Sequence, residues 1–144
     1  MPDIFHTFMV NAPSEKVFNG ITTAEGLDTW WTKSSQVDQT VGGNYTLYFG
    51  PEYNWKAAVK KYNPSKQFEL EMTESDADWN GTLVGFTLDA MEDNTTSVNF
   101  YHTGWPENNE HFRISSYCWA MYLRLLKRYI EFGEQVVYEQ RLDV

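Results

Sequence analysis

The chain has 144 residues, 42% hydrophobic and 22% charged, which is the profile of a folded globular protein with a real core. Its net charge of −9 and pI near 4.7 provide no basic footprint for nucleic acid or an anionic membrane. A single cysteine, Cys118, excludes an internal disulfide and a cysteine-based zinc cluster.

Taken in order, Ile4 to Val10 alternates as a strand, and Asn11-Ala12-Pro13 ends it. Ser14 to Asn19 reads as a short helix stopped at Gly20. A second short helix starts at Thr22–Glu25, where the spacing suits a capping box, and Leu27, Trp30 and Trp31 share its apolar face. Val37 leads into a turn at Val41-Gly42-Gly43. Tyr45, Leu47 and Phe49 then alternate with Thr46 and Tyr48, and a further strand runs from Trp55 to Tyr62. Phe68 to Met72 alternates as well, which puts Glu69 and Glu71 on a wet face. After an acidic loop, Asn80-Gly81 signals a turn. Thr82 to Leu88 and Ser97 to Trp105 complete the strands, with Val98, Phe100 and His102 on one face. The loop aromatics Tyr53 and Trp79 read as exposed, and so as a possible dimer contact.

From about Glu107 to Gly133 the chain becomes one long amphipathic helix. Phe112, Ser115, Trp119, Tyr122, Leu126 and Ile130 fall on one face, and Arg113, Tyr117, Arg124, Lys127, Arg128 and Glu131 on the other. Short connections imply an antiparallel sheet, and the last helix is the one element long enough to cover it. The expected fold is α+β, a helix-grip arrangement. A curved antiparallel sheet of six or seven strands wraps around a long C-terminal helix, with two short helices after the first strand, in one domain over residues 1–144.

No nucleophile elbow, dinucleotide glycine pattern or compact histidine metal motif is present, so no catalytic residue, metal ligand or cofactor is expected. The aromatic fraction of 17% is high, and the rings come from elements that must face one another. Trp30, Trp31, Tyr45, Trp55, Phe86, Phe100, His102, Trp119 and Tyr122 are the candidate walls of a cavity between sheet and helix. Apolar rings with a few polar tips suit a small apolar or aromatic ligand; the alternative is that the rings simply fill the core. His102 reads first as a hydrogen-bonding group within the fold, with a ligand contact or an acid/base role as the alternatives. The N-terminus lacks a basic segment followed by a long apolar run, which reads as a cytoplasmic protein without membrane insertion.

Several local patterns occur together. They are Asn11-Ala12-Pro13-Ser14-Glu15-Lys16-Val17-Phe18, Thr22-Thr23-Ala24-Glu25-Gly26-Leu27 leading to Trp30-Trp31, and Gly42-Gly43. His102-Thr103-Gly104-Trp105 follows, and then Trp119, Leu123, Leu126, Tyr129 and Glu131 on the last helix. With this element order, the chain resembles the START-like (SRPBCC) superfamily, in particular the branch similar to the C-terminal domain of the ATPase activator of the ninety-kilodalton heat-shock chaperone. The resemblance implies the helix-grip fold and an apolar cavity. It also implies functions ranging from ligand carriage through chaperone-associated protein binding to cyclase- or hydrolase-like catalysis.

Overall fold

The computed structural model describes residues 2–143. Strand β1 (Ile4–Val10) is followed by α1 (Ser14–Thr22) and α2 (Ala24–Trp30). Six strands come next: β2 (Ser34–Gln36), β3 (Asn44–Gly50), β4 (Tyr53–Asn63), β5 (Gln67–Glu74), β6 (Leu83–Ala90) and β7 (Thr96–Thr103). The long helix α3 (Glu110–Phe132) and a short 3₁₀ turn (Tyr138–Asp143) end the described chain. The strands form one antiparallel sheet in the order β1-β7-β6-β5-β4-β3-β2. The first strand therefore pairs with the last, and α1 and α2 carry the chain from one sheet edge to the other. From β2 onward the sheet is a meander, as the short turns require. Register irregularities fall between Lys56/Ala57 and Val59/Lys61 in β4, the kind of bulge at which a sheet bends. This is the expected helix-grip architecture.

One face of the sheet is lined by Val98, Phe100 and His102 of β7, Val84, Phe86 and Leu88 of β6, and Phe68, Leu70 and Met72 of β5, all buried. Helix α3 covers that face with Ser115, Trp119, Leu123, Leu126 and Ile130, the three-and-four spacing of a single stripe. Asn109 caps its start by accepting the Phe112 N–H at 2.9 Å, and Gly133 ends it in the left-handed region. At 23 residues the helix is about 35 Å long.

Five sequence expectations are corrected. Helix α1 does not stop at Gly20 but continues to Thr22. Gly20 instead marks a close approach, since a Cβ there would lie 3.1 Å from Ile130 of α3. The cap of α2 is accordingly Thr23, one residue later than expected, and its hydroxyl accepts the Gly26 N–H at 3.0 Å. The strand expected around Val37 is the three-residue β2, which ends before it. Trp79 is buried, not exposed, because hydrogen bonds within the turn fold it inward. Its backbone N–H donates to the Asp76 carbonyl, and Asn80 Oδ1 accepts from the Ser75 N–H and hydroxyl. Glu69 is buried rather than wet. Residues Glu69, Gly85 and Tyr101 lie side by side on β5, β6 and β7. With no side chain on Gly85, the Tyr101 ring lies across it, and its hydroxyl donates to Glu69 Oε1 at 2.6 Å. Burial, then the adjacent Glu69, pushes the Tyr101 phenol up.

Candidate functional site

Seven of the nine cavity candidates gather where β6, β7, α2 and α3 meet. The Trp119 ring is centred 4.5 Å from Phe100 and 5.1 Å from Trp31. Trp31 stacks on Trp30 at 5.9 Å, and Trp30 meets Phe86 edge-on at 6.1 Å. Trp55 joins through two rings that were not among the candidates, Phe49 at 5.2 Å and Trp79 at 4.9 Å. His102 lies 4.5 Å from Trp79 and 5.0 Å from Trp105. Tyr45 sits apart, against Phe68 at 5.4 Å, with its hydroxyl donating to the Thr22 carbonyl at 2.6 Å. Burial pushes its phenol well up. Tyr122 is half-buried and faces the C-terminal turn; burial, with Tyr138 nearby, pushes its phenol up to about 12.

His102 is fully buried and both ring nitrogens are engaged. The Trp119 indole N–H donates to Nδ1 at 3.1 Å. The Thr82 hydroxyl donates its one proton to the Trp79 carbonyl at 2.6 Å. Thr82 Oγ1, 2.8 Å from His102 Nε2, must then accept from that nitrogen. The chain Trp119 to His102 to Thr82 to Trp79 thus fixes a neutral imidazole protonated on Nε2. Burial, with a small contribution from nearby His111, pushes the imidazole down to about 3. A ring with its lone pair and its proton both committed has neither to offer a reacting group.

The indole N–H groups of Trp79 and Trp105 are buried without an acceptor. Trp105 packs against His111 at 5.3 Å, and His111 Nδ1 lies 3.0 Å from Asp78 Oδ2. Hydrogen bonds from His111 and then Asn109 hold the Asp78 carboxyl below the usual range. The turn carrying Trp79 is thereby tied to the start of α3. No group of three histidine, cysteine or acidic side chains among the described residues is placed to hold a metal ion. Cys118 is half-buried, and burial pushes its thiol up.

Grooves open elsewhere on the surface. One of about 340 Å³ lies between β1 and α3, and one of about 480 Å³ between α1 and the end of α3. Neither is lined by any of the nine candidates. The outer face of α3 carries Ile114, 51% exposed, and Tyr117, 80% exposed, with half-buried Met121 one turn on. Sequence patterning showed Tyr117 on this polar face. It gave no reason for an isoleucine there.

The family model described as "Activator of Hsp90 ATPase homolog 1-like protein" matches residues 11–131. The chain belongs to this family. It is a START-like protein of the branch that its element order suggests. The solution structure of the Aha1 dimer from Colwellia psychrerythraea superposes with a TM-score of 0.84 at 29% identity, covering 93% of this chain and 99% of that one. A Staphylococcus saprophyticus protein matches with TM-score 0.76 at 18% identity over 94% of this chain and 96% of its own. A Bacillus halodurans protein matches with TM-score 0.75 at 23% identity over 91% and 98%. These last two share the fold. No curated protein matches the chain significantly. The family and fold are those of a ligand- or protein-binding module, and no helix among the described residues is long and apolar enough to cross a membrane.

Proposed function

We propose that the protein is a non-enzymatic, cytoplasmic protein-binding module whose partner docks on the outer face of α3. The observation that carries this reading is the apolar stripe on the outer face of α3, formed by exposed Ile114 and Tyr117 with half-buried Met121. Apolar side chains grouped on a surface and rimmed by charge, here Arg113 and Arg128, mark contact sites more often than chance. The family description supports a chaperone of the ninety-kilodalton class as one partner, and the Colwellia relative, solved as a dimer, supports a second copy as another. The stripe is tested by Ile114→Ser with Tyr117→Ser. The wild type is expected to sediment as a dimer or to stimulate the chaperone's ATPase, and the double variant to lose that behaviour while keeping its melting temperature. Unchanged association and unchanged stimulation in the variant would refute the assignment of this face.

A second reading is favoured by the two unspent indole donors. A small apolar or aromatic ligand with an acceptor atom would use Trp79 and Trp105 among the rings around His102. Such a ligand would quench tryptophan fluorescence and shift the two indole N–H resonances. If aromatic carbonyl compounds leave both resonances in place, an internal water is the better account of these donors.

A further inference from the structure

The groove between β1 and α3 has a chemistry of its own. Its floor is apolar, formed by Phe8, Ala120 and Leu123. Contacts close both ends: His6 Nε2 lies 3.3 Å from the Ser116 carbonyl, and Lys127 Nζ donates to the Met9 carbonyl. Between His6 and Met9 the open length is about 10 Å, at ~3.4 Å per strand residue. That is too short for a through-running strand, and the volume of about 340 Å³ is that of a small-molecule pocket.

Its polar groups are unequally used. Lys127 is neutralised by Glu131 at 2.7 Å. Arg124, which lines the same groove, makes no ion pair or side-chain hydrogen bond among the described residues. An unspent guanidinium over an apolar floor is conspicuous in a chain with 20 acids and 11 bases. The backbone adds a donor. Met9 C=O faces α3, and along an antiparallel edge the N–H and C=O of alternate residues face the same way. Thr7 therefore turns its N–H and C=O into the groove, on the open edge of the sheet.

We propose that this groove binds a small apolar carboxylate, with its hydrocarbon or aromatic body over Phe8, Ala120 and Leu123 and its carboxylate on Arg124. The guanidinium fork matches a carboxylate in two parallel hydrogen bonds, and the Thr7 N–H supplies a further donor at the edge. The site shares no residue with the exposed stripe or with the aromatic interior, so either earlier reading can fail without it.

Octanoate and 1-octanol share a chain of suitable length and differ in charge. By calorimetry and amide NMR on the full chain, octanoate is expected to bind saturably and to shift the Thr7 and Arg124 amides. Octanol should bind roughly ten-fold more weakly, the loss of one charge-assisted pair. Arg124→Gln should bring octanoate down to the octanol level, and Ala120→Trp should abolish binding of both. If Ala120→Trp does not fold, Arg124→Gln decides alone. The proposal is overturned if octanoate shows no saturable binding at millimolar concentration, or if Arg124→Gln leaves its affinity unchanged. It is equally overturned if the shifts centre on the Trp79 and Trp105 indoles instead.

Discussion

Replacing Thr82 with valine should unsettle the core more than its single atom change suggests. Thr82 is fully buried, and valine keeps its shape but not its hydroxyl. The His102 Nε2–H then loses its acceptor, while the Trp79 carbonyl loses one of its two donors and keeps the Thr82 backbone N–H at 3.0 Å. The buried orphan on His102 costs about 1–3 kcal/mol and the hydrogen bond lost at the carbonyl about 1 kcal/mol more, so the total is about 2–4 kcal/mol. Thr82→Ser keeps the hydroxyl and loses one methyl group, about 1 kcal/mol. Urea denaturation followed by tryptophan fluorescence separates the two. With a slope of about 2 kcal/mol per molar, the valine variant should shift the midpoint by about 1–2 M and the serine variant by about 0.5 M. If valine is no worse than serine, the chain from Trp119 to Trp79 is not a connected network, and the assigned tautomer loses its basis.

Four further outcomes are expected. His102 should stay neutral until about pH 3, seen in its ring nitrogen shifts. Because its folded pKa lies below the unfolded value, its contribution to stability is complete above about pH 6.5 and is lost as pH falls toward 3, by at most about 1.4 kcal/mol per pH unit. Trp119→Ala should cost about 3–5 kcal/mol in thermal or urea unfolding, since Phe100, Trp31 and Trp79 all lose a packed face. Gly85→Ala should evict the Tyr101 ring, whose atoms lie 2.2 Å from the new Cβ; a lowered tyrosine titration midpoint would register the lost contact with Glu69. Arg141→Met should free the C-terminal segment, because Arg141 donates to the Asp28, Thr32 and Val136 carbonyls. Limited proteolysis after residue 133 should then become faster.

What could be read from sequence followed from local periodicity. The alternation in β7 placed Val98, Phe100 and His102 on one face, and all three are buried there. The three-and-four spacing of Trp119, Leu126 and Ile130 placed them under α3 in the same way. What escaped depends on neighbours distant in the chain. Alternation assigns Glu69 to the outer face correctly. Its burial requires a glycine on the next strand and a tyrosine on the one after. Trp79 looked like a loop residue because its inward turn is set by Ser75 and Asn80 hydrogen bonds that no hydropathy pattern displays. Thr82 is one threonine among many until His102 and Trp79 are placed around it. Arg141 is polar in sequence and 3% exposed in the structure, because the carbonyls of Asp28 in α2 and of Thr32 just after it are its partners. Tyr45 and Tyr122 were grouped with the other rings by face alone; the position of each along its element sends it to a different end of the core.

The tyrosine that lies over Gly85 also bears on how the strands find their alignment. A slip of two residues between β6 and β7 keeps every side chain on its proper face, so hydrophobic patterning alone penalises it weakly. In such a slip Tyr101 would meet Leu83 or Thr87, whose side chains fill the space that Gly85 leaves open. Only one alignment gives the ring a gap to enter and the hydroxyl a carboxylate to reach. Gly85, the smallest residue in its strand, thus acts as a keyway that admits a single register across three strands.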